Sequence, residues 1–168
     1  MPQDDTVIVA CDEQILGEQV EPGRRVIVVD SEGRYRALNT GIFLAQRDRQ
    51  VIFVTEYPML GARFAVDKFR VRSYQKLLEH GVRLGDYLGQ KVTAITNRTV
   101  TIENVYTHTQ RKINDVDTVA TAFHGRSNQA LYEALKTKIR HRHLIGDAYS
   151  PRSVELACYE GHQVARAL

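Results

Sequence analysis

RRVIVVDSEGRYRALNTGIFLAQRDRQVIFVTE, residues 24–56, decides the fold. Residues 26–29 form an unbroken β-branched run, and 51–54 a second apolar run. Between them Ala37, Ile42, Phe43, Leu44 and Ala45 supply the apolar side of a helical segment. Parallel strands covered on both faces read as continuous Val/Ile runs, and the crossover joining two of them is usually a helix. The stretch is therefore expected to be a Rossmann-like βαβ unit.

Such a unit holds a dinucleotide when its first turn reads G-x-G-x-x-G. The first glycine allows the bend, the second lets backbone N–H groups approach the pyrophosphate, and the third lets the helix pack closely. Here those places read Asp30, Glu32 and Tyr35. A like-charge pair about 4 Å apart costs about 4 kcal/mol at an effective dielectric of about 20, so two carboxylates oppose phosphate binding. Gly33 remains to make the turn, and Glu56 follows the second strand roughly where a ribose-binding carboxylate stands. The block is expected to act as scaffold, with NAD(P) binding not expected.

The 168 residues, 43% of them hydrophobic, suffice for a buried core, and length alone suggests one domain or slightly more. A net charge of +3 is too small to argue for a nucleic-acid partner. The most basic run, KTKIRHRH at 136–143, reads as a solvated helix end before a strand. No apolar run approaches the roughly 20 residues that cross a bilayer, and the first residues do not form a signal peptide, so a cytoplasmic protein is expected. Cys11 and Cys158 lie far apart without a CxxC spacing, which excludes a zinc or iron–sulfur site built from this chain alone and leaves buried structural thiols. The six histidines form no HExxH pair. No nucleophile–base pair or paired carboxylates can be placed together.

Outward from the βαβ unit, TVIVA at 6–10 reads as a short strand and 12–19 as a helical turn. The segment 67–81 reads as a helix with Asp67 as N-cap and Gly81 as stop. From Val82 the period becomes two. VRL, 91–96, 99–106 and 111–114 are expected to form an antiparallel meander attached to the parallel sheet, with turns at Asn97-Arg98 and His108-Thr109. A buried strand at 117–123, a helix at 128–138 capped by Asn128, a strand HLIG at 143–146 and a helix from Ser153 close the chain.

Three features together carry a family resemblance. Ile145-Gly146-Asp147, followed by Pro151-Arg152 and by Glu160-Gly161-His162 with Ala165-Arg166 on a helix, resembles a ribose-contacting GD motif and its final helix. The turn at 121–128, TAFHGRSN, resembles an ATGxxPN crossover but departs from it at Phe123, His124 and Ser127. The turn at 30–35, DSEGRY, resembles a degenerate DxDGxY turn. These are motifs of the C-terminal region of the trimethylamine dehydrogenase and 2,4-dienoyl-CoA reductase group of flavin oxidoreductases, and the resemblance covers nearly the whole chain.

The resemblance implies a division into an N-terminal strand and linker at 1–23, a Rossmann-like NAD(P)-type domain with a β-meander at 24–116, and an FAD-domain-like segment at 117–168. It further implies that the strands at 6–10, 117–122 and 143–146 belong to the sheet of an FAD half whose own glycine-rich βαβ unit this sequence lacks. The group's catalytic barrel and cluster cysteines are also absent from the sequence. Electrons in the trimethylamine dehydrogenase branch leave through an electron-transferring flavoprotein, which is the partner implied.

A carboxylate beside a helix N-terminus suits ribose or ribitol hydroxyls, and the helix end favours a phosphate. Gly146, Asp147 and Arg152 are thus the candidate contacts for FAD or ADP, with Glu56 as a further candidate; Gly146-Asp147 serves equally as a strand-ending turn and helix cap. Strands without central neighbours invite pairing with another chain. The expectation is therefore a homo-oligomer or a subunit of a larger oxidoreductase, expected to lack catalysis of its own. A small NAD(P)H- or FAD-dependent oxidoreductase and a free-standing interaction module stay open as alternatives.

Overall fold

The computed structural model describes residues 7–63 and 67–168, and of Asp67 only its backbone, so the expected N-cap role of its side chain lies outside the described residues. The chain divides into two compact units, one ending at Phe123 and the other His124–Leu168.

In the first unit, β1 (Ile8–Cys11), β2 (Arg25–Asp30), β3 (Gln50–Thr55) and β7 (Thr118–Ala122) form one parallel sheet in the order β1-β7-β2-β3. The expected βαβ unit is β2, helix α2 (Tyr35–Ala45) and β3, with Asp30 opposite Thr55 in register. A short α1 (Asp12–Leu16) follows β1, and α3 (Asp67–Glu79) follows the loop after β3. The strands β4 (Gln90–Thr96), β5 (Thr99–Asn104) and β6 (Gln110–Ile113) form a separate antiparallel sheet. Their first hairpin turns on Asn97 and Arg98, both at positive φ (48° and 59°), as a two-residue primed turn requires.

Successive side chains on a strand point to opposite faces, and β2 shows how that builds three layers. Val26 and Val28 pack with Ala37, Leu38, Leu44, Leu77 and Ala120 beneath the helices. Ile27 and Val29 pack with Val92, Ile95, Val100 and Ile102 of the meander. The meander thus covers one face of the parallel sheet while α2 and α3 cover the other, which is why β2 and β3 are almost wholly apolar.

Four expectations need correction. β1 and β7 do not belong to a separate sheet: β7 pairs with β2 from Val26↔Thr118 to Asp30↔Ala122, and β1 pairs with β7. Residues 82–84 and 143–146 are not strands; among the described residues no backbone completes a ladder with either. The helix expected at 128–138 spans only Ala130–Ala134, with Gln129 as its N-cap, while Asn128 Oδ1 accepts from the Ala130 N–H at 3.2 Å. Cys11 is only partly buried and Cys158 is exposed, so neither behaves as a buried structural thiol.

The second unit consists of α4 (Ala130–Ala134), a 3₁₀ turn at Gly146–Ala148 and α5 (Val154–Ala167). No residue from 124 to 168 is buried. Among the described residues, no helix is long and apolar enough to cross a membrane.

The meander carries one pronounced electrostatic cluster. Glu103 on β5 pairs with Lys91 Nζ at 3.0 Å and faces His108 Nδ1 at 3.3 Å and Gln110 Nε2 at 3.4 Å. Bonds from Lys91 first, then His108 and Gln110, hold its carboxyl at about 2, below its ordinary 4.5. A depressed folded value stabilises the fold above the unfolded value, and that contribution fades as pH falls from about 4.5 towards 2. A carbon-detected titration of Glu103 is expected to show a midpoint near 2; a midpoint near 4.5 would show that the cluster does not hold in solution.

Candidate functional site

The turn between β2 and α2 is where a nucleotide would sit if the βαβ unit held one, because ligands of open α/β sheets bind outside the carboxyl ends of the strands. Asp30 closes β2 and is buried. Its Oδ1 accepts from the Gly33 N–H at 2.7 Å, its Oδ2 accepts from Gly61 N–H at 3.4 Å, and its carbonyl accepts from Thr55 Oγ1 at 2.8 Å. A backbone N–H that a phosphate-binding turn offers to its ligand is here taken by the chain's own carboxylate. The second acidic residue of the turn, Glu32, is also buried.

The space above the turn is filled as well. Gly33 adopts φ +68°, and a Cβ placed on it would meet the Tyr57 ring at 2.8 Å and Arg63 Cγ at 3.1 Å. Its carbonyl accepts from the Arg63 N–H at 2.8 Å, and Tyr57 Oη donates to the Ser31 carbonyl at 3.5 Å. Tyr74 of α3 anchors the same loop by donating to the Leu60 carbonyl at 2.8 Å; burial pushes its phenol up. The loop from Tyr57 to Arg63 therefore lies on the turn. Sequence reasoning missed this closure, since Tyr57-Pro58 after β3 signals only that the apolar pattern ends and a loop begins.

Tyr35 does not obstruct helix packing: as the first residue of α2 its side chain is exposed. Close approach of α2 to the sheet comes instead from Gly41, where an added Cβ would lie 2.2 Å from Phe53 Cζ. Glu56 stands one residue past β3, at the same end of the sheet as Asp30, exposed and without a hydrogen bond or ion pair among the described residues.

In the second unit Gly146 and Arg152 come together through a residue not singled out as a site. Glu160 of α5 accepts from the Gly146 N–H at 2.7 Å with one oxygen and pairs with Arg152 Nη2 through the other. Arg152 Nε also donates to the Ser150 carbonyl at 3.2 Å. Gly146 takes φ +61°, and a Cβ there would meet Ala157 Cβ at 3.3 Å, so the turn fits against the small-residue face of α5. Ser153 caps α5 by accepting from the Leu156 N–H at 3.4 Å. Asp147 is exposed and its carboxylate has no partner among the described residues. Of the candidate ligand contacts in this unit, Asp147 is available and Arg152 is engaged. The signal for Glu160 was its place on the helix following the Gly146 turn.

No protein-family model matches the chain, and no curated protein matches it. Solved structures do. Histamine dehydrogenase from Rhizobium sp. 4-9 superposes with a TM-score of 0.87 at 26% identity over 100% of this chain. The 6-hydroxypseudooxynicotine amine oxidase of Pseudomonas geniculata N1 follows with 0.83, 21% identity and 97% coverage. A 2-naphthoyl-CoA reductase matches over 100% of the chain with 0.76 at 19% identity. The chain carries an oxidoreductase-related, Rossmann-like fold. It spans 27%, 26% and 26% of the length of those three chains.

Proposed function

We propose that this chain is the Rossmann-like portion of a flavin oxidoreductase of the trimethylamine dehydrogenase kind, without catalysis of its own, serving assembly or the docking of an electron-transfer partner. The observation that carries this reading is the occupied turn. Asp30 consumes the Gly33 N–H and Tyr57 packs over the glycine, so a pyrophosphate would have to displace two buried backbone bonds and an aromatic ring. A nicotinamide dinucleotide gains nothing there to offset that loss.

A second reading keeps a nucleotide at the other end of the chain. Asp147 is exposed and unengaged just before a 14-residue helix, α5, whose N-terminus favours anions. FAD or ADP is the ligand class this arrangement would take, with Gly146 and Asp147 nearest.

Calorimetric titration of the full chain with NADH, NADPH, FAD and ADP separates the readings. The expected result is no NADH or NADPH binding at micromolar concentrations. Micromolar NADPH binding abolished by Asp30→Lys, or a protein that purifies yellow and oxidises NADH, would sink the noncatalytic reading. FAD or ADP binding weakened by Asp147→Ala would instead favour the second.

A further inference from the structure

We infer that the outer edge of β3 takes an uncharged extended segment of another polypeptide as an added strand, in a cleft between β3 and residues 80–86. The cleft lies at the amino end of β3, away from the turn that a nucleotide would use, so it stands whichever nucleotide reading holds. Among the described residues β3 is the last strand of the parallel sheet, with β2 on one side and no strand on the other. Its first residues, Gln50, Val51 and Ile52, all line a cleft of about 370 Å³ whose far wall is 80–83 and Asp86. Side chains of successive strand residues point to opposite faces of a sheet. A cleft lined by three in a row therefore opens on the edge of β3 and not on either face.

Backbone parity gives this edge its chemistry. The Gln50 N–H donates to the Arg24 carbonyl, on the side of β2, whereas the Thr55 N–H donates to the Tyr87 carbonyl at 3.3 Å, on the outer side. Along a strand in a ladder the N–H and C=O of one residue share a side, and neighbours alternate. Val51 and Phe53 have the parity of Thr55, so their backbone groups point outwards, where no other backbone among the described residues bonds to them. Val51 is buried, which puts its outward groups at the bottom of the cleft. A strand laid alongside supplies both the donor and the acceptor that such groups require.

The walls select the occupant. Leu88 bridges Thr55 in the parallel sense and closes the inner end, while the far wall turns at 84–87, tied by Arg83 Nε and Asp86 Oδ2 at 3.1 Å. A second copy cannot offer its own β3, because that edge carries the same wall and two recessed edges exclude each other. The lining holds two arginines and two aspartates, and Arg49 is already paired with Glu21, so no small anion is selected. On the helix-covered face the cleft is lined by Ala45, Val51 and Val82, which calls for apolar side chains at alternate positions of the added strand.

The test titrates the full chain with a capped peptide alternating serine and valine, read by amide shifts and amide exchange. Without peptide, the Val51 and Phe53 amides should exchange faster than those of Ile52 and Val54, which face β2. Peptide should slow Val51 first. Only one alternate set of peptide amides can face β3, so N-methylating that set should weaken binding about tenfold, and methylating the other set should change it little. Val51→Pro removes the outward N–H while keeping the bonds to β2, and should weaken binding with the thermal transition retained. Should that variant unfold, the two methylated peptides still decide.

Equal binding of both methylated forms, or no binding at millimolar peptide, would overturn the inference. So would displacement of the peptide by inorganic phosphate. Protection of the Val51 and Phe53 amides without peptide would overturn it too: in a monomer it would mean that 82–86 closes the edge itself, and in a concentration-dependent dimer that a second copy does.

Discussion

Replacing Arg36 by alanine is expected to cost the fold about 3 to 5 kcal/mol, because it strands a buried carboxylate. Arg36 on α2 reaches Asp12 at the start of α1 with Nε at 2.6 Å and Nη2 at 2.8 Å, and Glu13 with Nη2 at 2.7 Å. Only 3% of the Asp12 side chain is exposed, against 22% for Arg36. Hydrogen bonding to Asp12 above all raises the guanidinium's proton affinity further, so the arginine stays charged at any working pH. Lysine should recover only part of the loss, because a point charge cannot reproduce the two-pronged contact. The double variant R36A/D12A should be less destabilised than R36A alone. Urea unfolding at neutral pH checks this, and an R36A midpoint indistinguishable from the parent would show that the pair is not formed.

The second large effect is expected at Gly41, where two ordinary rules oppose each other. In a helix interior alanine is preferred to glycine by about 1 kcal/mol, so Gly41→Ala would stabilise an isolated α2. In the folded chain the new Cβ would lie 2.2 Å from Phe53 Cζ, and the Phe53 ring is itself buried. Overpacking a filled core costs about 1–3 kcal/mol, so after the helix-propensity gain the net effect of Gly41→Ala should be a loss of up to about 2 kcal/mol, and Gly41→Val should lose more. Shrinking the ring tests the cause: in the F53L background the added methyl should become harmless or helpful. A variant G41A more stable than the parent would mean that α2 shifts freely away from β3.

Neither effect could be read from the residues in order. Gly41 carries no local signal of its role, and Phe53 reads as one more residue of the apolar run 51–54; only their superposition makes the glycine necessary. Asp12 lies 24 positions from Arg36, and nothing local distinguishes it from the exposed Glu13 beside it. By contrast β2 and β3 were legible because a parallel strand covered on both faces must be apolar at every position. The Asn97-Arg98 hairpin was legible for a similar reason, since alternating strands with two residues between them leave little choice of turn. The α4 segment has helical spacing but folds for only five residues, and none of them is buried. Helical periodicity without a surface to pack against gives a marginal helix.

The candidate site divides in the same way. The residue types at Asp30, Glu32 and Tyr35 already spoke against a pyrophosphate, and the glycine at 33 already marked the bend. That a buried carboxylate would take the Gly33 N–H, and that Tyr57 would cover it, depended on a loop 24 residues further along. Likewise Arg152 carried the chemistry of a phosphate contact, but its place beside Glu160 is set by how the Gly146 turn meets α5.

By itself, then, the amino-acid order determined the parallel pair, the meander hairpin and the loss of the dinucleotide glycines. These are properties of single residues or of short periods, where local sterics and solvation suffice. The tertiary structure alone decided that β1 and β7 complete one sheet with β2 and β3, that the old turn is filled from within, and that the last 45 residues bury nothing of their own. Each of those depends on which distant surfaces meet, and a local period carries no record of its partner.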